Sequence, residues 1–95
     1  MKRQIQISGT YKFNNRSGLF TGIVTFDERE DSIYYSWSLS DEQGNNLGGK
    51  SRPIAFQQIP VGQDILEFSK AHAVEGIRKF RIGRERIIQE LTVLE

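Results

Sequence analysis

The sequence predicts an α+β domain, a predominantly antiparallel, curled sheet of about five or six strands with one packed helix. Three observations carry that reading. Ile33, Tyr35, Trp37 and Leu39 alternate strictly with Tyr34, Ser36 and Ser38, the period of a half-buried strand. The apolar run 19–26 sits beside it across a short charged link, 27–32, the pattern of a hairpin or of two neighbouring strands. Residues 63–74 carry a cap and a helical spacing. A small, partly open β-barrel is the alternative arrangement of the same strands.

Taken in order, residues 2–13 form the first strand, with Ile5, Ile7, Tyr11 and Phe13 in one phase and a bend or bulge expected near Gly9. Asn14-Asn15-Arg16-Ser17-Gly18 reads as a multi-residue hairpin loop. The second strand covers about 19–27, with Phe20, Val24 and Phe26 on one face and Leu19 and Ile23 on the other. After the third strand, residues 40–53 are rich in Gly and Asn and read as a turn at Asp41–Gly44 followed by loop. Pro53 and Pro60 bound a short edge strand containing Ile54 and Phe56. The helix starts at Gln63 or Asp64, with Asp64 as cap and Glu67 completing a capping box, and stops before Gly76 at about Val74. Residues 77–82 read as a further strand. Residues 84–94 fit either a strand or a helix, and the terminal Leu-Thr-Val-Leu decides for a strand.

With 95 residues the chain is expected to form a single compact domain, residues 1–95. It has no cysteine, which excludes disulfides and thiolate chemistry. The basic start is followed by no signal-peptide core, and no run approaches the roughly 20 apolar residues that span a bilayer. A soluble, cytoplasmic protein without membrane contact is the expectation. Net charge is +1, but it is unevenly spread: +4 over residues 1–26, −5 over 27–49 and +2 over 50–95.

These segregated charges, with the two-faced strand 19–26, point to a non-enzymatic protein-binding or regulatory module whose partner is another protein or a second copy. Its expected binding residues are Ile23, Asp27, Glu28, Glu30, Asp31 and Tyr34. Tyrosine suits an interface because its ring packs while its hydroxyl stays polar. The acidic link lacks the ligand spacing and glycine of a calcium loop, so neither a metal site nor a cofactor is expected.

The basic segment 78–86 supports nucleic-acid binding as an alternative, through Lys79, Arg81, Arg84 and Arg86, with Tyr34 and Phe80 as stacking rings. A curled sheet holding a small apolar ligand is a further alternative. Gly44-Asn-Asn-Leu-Gly-Gly-Lys-Ser51 fits the bare spacing of a phosphate-binding loop, but Arg52-Pro53 follows where a helix should open. What remains there is an anion contact through Lys50, Ser51 and Arg52. His72 is the only histidine and has no nucleophile or orienting acid at a recognisable spacing, so no catalytic residue is assigned.

Overall fold

The computed structural model describes residues 2–94. Four strands form an antiparallel meander: β1 (Lys2–Phe13), β2 (Arg16–Glu28), β3 (Ser32–Asp41) and β4 (Asn46–Ala55). A 3₁₀ turn (Phe56–Gln58) leads to α1 (Ile65–Arg78). A hairpin of two-residue strands follows, β5 (Arg81–Ile82) and β6 (Glu85–Arg86). The last strand, β7 (Ile88–Leu94), joins the free side of β1, giving the order β4-β3-β2-β1-β7. β4 and β7 do not pair, so the sheet is open rather than a closed barrel.

Local chemistry explains the turns. Asn14 and Asn15 have φ of 51° and 64°, so a two-residue turn of the type I′ class replaces the expected longer loop and β2 starts at Arg16. Asp41 Oδ1 accepts from the amides of Gln43 (2.9 Å) and Asn45 (2.8 Å), fixing the β3–β4 turn, and Gly44 supplies its positive φ of 84°.

The expected loop after that turn is instead a long edge strand. Lys50, Arg52 and Ile54 lie opposite Trp37, Tyr35 and Ile33, so all six point to the helix-covered side. Phe56, expected to continue a short strand, begins the 3₁₀ turn.

Ile5, Ile7, Phe20, Val24, Phe26, Ile33, Tyr35, Trp37 and Leu39 are all buried on the side where α1 packs, as their alternation requires. Gly22 lies in the same row as Ile7 and Leu39, and a side chain there would collide with both.

The helix presents the stripe Ser69, Ala73 and Ile77 to this core. Two small residues in that stripe let the helix lie close to the sheet, and Ser69 Oγ returns its hydrogen bond to the Ile65 carbonyl at 2.8 Å. Asp64 caps the helix as expected, accepting from the Glu67 amide at 3.0 Å. The helix runs through Gly76 to Arg78, so Gly76 is not its stop and Ile77 belongs to its last buried turn rather than to a strand. Phe80 then drops back onto the sheet, edge-on to Trp37 (5.1 Å between centroids) and directly over Gly48.

Candidate functional site

Helix α1 has two flanks, and each borders an edge of the sheet. Towards β4 it shows Phe68, Ala71, His72, Glu75, Gly76 and Lys79, whose spacing places them on one helical stripe. With Tyr35 and Arg52 they line a cleft of about 610 Å³. Tyr35 Oη lies 3.0 Å from His72 Nδ1. Burial raises the Tyr35 phenol above its ordinary value of 10.0, an effect the nearby Arg52 guanidinium partly offsets. Burial, aided by Arg52, holds His72 below its ordinary 6.5. At neutral pH both groups are therefore uncharged, and a single hydrogen bond joins Oη and Nδ1, its donor set by the imidazole tautomer. Arg52 is exposed and forms no hydrogen bond or ion pair among the described residues.

Towards β7 the helix shows Arg78. With Glu75, Lys79, Arg86 and residues 88–92, Glu90 among them, it lines a groove along the strand. Among the described residues β7 has a neighbour, β1, on one side only. Lys79 Nζ pairs with Glu75 at 3.4 Å, on the ridge between cleft and groove. Arg78 and Arg86 have no carboxylate partner among the described residues.

The face of the sheet opposite the helix is open. Its central rows run Ser51–Ser36–Thr25–Gln4, then Gly49–Ser38–Ile23–Gln6–Leu94, then Ser40–Thr21–Ser8–Thr92, with no charged side chain among them. Ile23 is exposed there, and so is Tyr34. Asp27 lies opposite Tyr34, and Arg29 bridges the two, its guanidinium 4.1 Å from the Tyr34 ring centre and 3.4 Å from Asp27 Oδ2. Glu28 points the other way and lines a separate hollow with Arg3, Ile33 and Asp64. Glu30 and Asp31 are exposed in the link. The expected acidic surface is thus split between two faces of the sheet and a turn.

The basic segment is also divided. Lys79 and Arg86 border the β7 groove, whereas Arg81 bonds the Arg84 carbonyl (3.0 Å) within the β5–β6 hairpin. Phe80, the expected stacking ring, is occupied by Trp37. Lys50 and Arg52 point to the helix side and Ser51 to the open face, so the expected anion trio does not converge. Gly44–Ser51 runs from a turn into an edge strand with no helix after it, which removes the phosphate-loop geometry.

Sequence reasoning missed the Tyr35–His72 bond, which joins residues 37 apart. The phase of β3 placed Tyr35 inward, but only the helix rotation brings His72 over it. Among the described residues, no cluster of three or more His, Asp or Glu is placed to hold a metal ion, and no helix is long and apolar enough to cross a membrane. No family model, curated protein or solved structure matches the chain.

Proposed function

We propose that the chain is a non-catalytic protein-binding module that takes an extended, acidic segment of its partner as an added strand beside β7. The observation that supports this reading most is that, among the described residues, the outer side of β7 is free and the two guanidinium groups beside it, Arg78 and Arg86, have no carboxylate partner. Strand addition draws affinity from main-chain hydrogen bonds and specificity from alternate side chains. Ile88-Gln-Glu-Leu-Thr-Val-Leu94 contains no proline, glycine or lysine, and its pairing with β1 is regular from Glu90 to Leu94, past the irregularity at Gln89. A strand laid there points every second side chain towards the helix side, where Arg78 and Arg86 stand, so acidic residues at alternate positions complement the groove.

Capped peptides of sequence (Thr-Glu)₄ and (Thr-Lys)₄ test this by NMR titration of the labelled chain. The acidic peptide is expected to shift the amides of residues 88–94, more weakly at high salt, and the basic peptide is expected to shift none. Reversing Arg78 and Arg86 together to Glu should weaken the acidic peptide roughly tenfold, since exposed ion pairs contribute about 0.2–1 kcal/mol each and reversal adds repulsion. Equal responses to the two peptides, or shifts confined to β4, would overturn the reading. So would concentration-dependent β7 shifts without peptide that no peptide displaces, because these assign the edge to a second copy.

A further inference from the structure

We propose that the cleft between α1 and β4 is a binding site for a small organic carboxylate with a flat, apolar body. It is independent of strand addition at β7: cleft and groove share only the ridge residues Glu75 and Lys79.

The cleft's size, about 610 Å³, falls within the range of small-molecule sites. Its composition is also of that kind, with apolar walls and a few polar groups. Phe68 and Ala71 form the apolar side, on the first turns of the stripe. Gly76 keeps the middle of the cleft open: a Cβ there would reach only to about 4.0 Å from Tyr35 Oη and would project into the space a ligand would occupy. The polar side consists of Arg52 and His72.

The charges on all three elements around the cleft select the ligand. On α1, Lys79 is neutralised by Glu75 at 3.4 Å. His72, also on α1, is neutral at physiological pH, and so is Tyr35 on β3. Among the residues that line the cleft, Arg52 on β4 is left as the one uncompensated charge, with Lys50 two residues along the same strand face but outside the lining. One positive charge matches one negative charge, and a guanidinium fork pairs with a planar carboxylate through two parallel hydrogen bonds. The Tyr35 hydroxyl already engages Nδ1, so Nε2 is the ring nitrogen left to face a ligand, and it is a second donor in the tautomer whose Nδ1 accepts from the phenol. A dianion such as phosphate would meet Glu75 with too little positive charge to offset it.

Because the chain has one histidine, its imidazole resonances report on the cleft without ambiguity. Benzoate is the probe, with benzamide as its neutral counterpart and inorganic phosphate as the bare anion. Benzoate is expected to shift the His72 signals saturably and to raise the His72 pKa, since a nearby anion favours the imidazolium. Benzamide and phosphate should bind at least about tenfold more weakly. Arg52→Gln, a change at an exposed residue with no hydrogen bond or ion pair among the described residues, should weaken benzoate by a similar factor. Gly76→Ala should weaken it too while leaving the helix intact. The proposal fails if benzoate produces no saturable shift, if benzamide or phosphate matches it, or if Arg52→Gln leaves its affinity unchanged.

Discussion

The β4 edge is guarded against other backbones at residues 53 and 55, and the β7 edge lacks such guards. At β4, the Phe56 amide donates to the Asp31 carbonyl at 3.0 Å, which sets the phase of the pair with β3. Residues 51, 53 and 55 then turn their amide nitrogens outwards. Pro53 has no proton to offer, and the Ala55 proton is held by Gln58 Oε1 at 3.0 Å. At β7 there is no proline, and among the described residues no side chain accepts from an amide of residues 88–94. Both edges carry cations, Lys50 and Arg52 at one and Arg78 and Arg86 at the other, so charge does not separate them. The separation lies in main-chain availability. One flank of the helix is therefore suited to side-chain recognition of a small molecule, and the other to main-chain recognition of a strand.

The largest effect that probes this asymmetry comes from the core beneath it. Trp37 is buried and supports Phe80, which seals the start of β4 over Gly48. Trp37→Ala should destabilise the chain by about 3–5 kcal/mol, read as a lower urea midpoint with an unchanged slope. Leu91, only half-buried on β7, should cost clearly less when cut to Ala. Equal losses would mean that the two edges are equally anchored, and the contrast in packing would be gone.

Much of this arrangement was legible in the sequence, and the limits have physical causes. The alternations at 5–13, 20–26 and 33–39 announced the core face because period two is a local property of the chain. The β4 strand was hidden because its inward positions hold Lys50 and Arg52. They lie at the sheet margin, where long stems pack and charged ends reach water, so the strand shows no apolar rhythm. The helix extended past Gly76 because burial of Ile77 outweighs the roughly 1 kcal/mol that glycine costs. The cleft was illegible because Tyr35, Arg52 and His72 meet only through tertiary packing. The β7 strand was correctly read from Leu-Thr-Val-Leu, but its exposure as an edge depends on strand order, which no local pattern records.

A smaller effect should appear in the pH dependence of stability. His72 has a folded pKa below the unfolded value of 6.5, so the unfolded chain binds its proton first as pH falls. Stability from this group is complete above pH 6.5 and declines as pH drops from there towards the folded pKa. Tyr35 has a folded pKa above 10.0, so its contribution is complete below pH 10 and declines as pH rises beyond it. The Tyr35–His72 pair is thus strongest between the two limits. Melting temperatures followed by circular dichroism from pH 5 to 7 should fall with acid in the wild type, and less steeply in His72→Gln. Parallel curves would mean that the imidazole does not carry the acid limb, and the β4 flank would lose its titratable character.

The smallest effect isolates the guard itself. Gln58→Ala removes the acceptor that holds the Ala55 amide. Water can replace it at an exposed edge, so stability should fall by only about 0.5 kcal/mol, the low end for a hydrogen bond. Hydrogen exchange at Ala55 should quicken, while Pro53 still interrupts the row of donors two residues away. The (Thr-Glu)₄ peptide should therefore continue to perturb β7 and not β4. If the single change redirects the peptide to β4, one side chain is the whole barrier there. If the peptide then ignores β4 even after Pro53→Thr is added, donor availability is not what distinguishes the edges. The helix-side cations would have to be ranked instead, with Arg78 and Arg86 over β7 holding the strand where Lys50 and Arg52 do not.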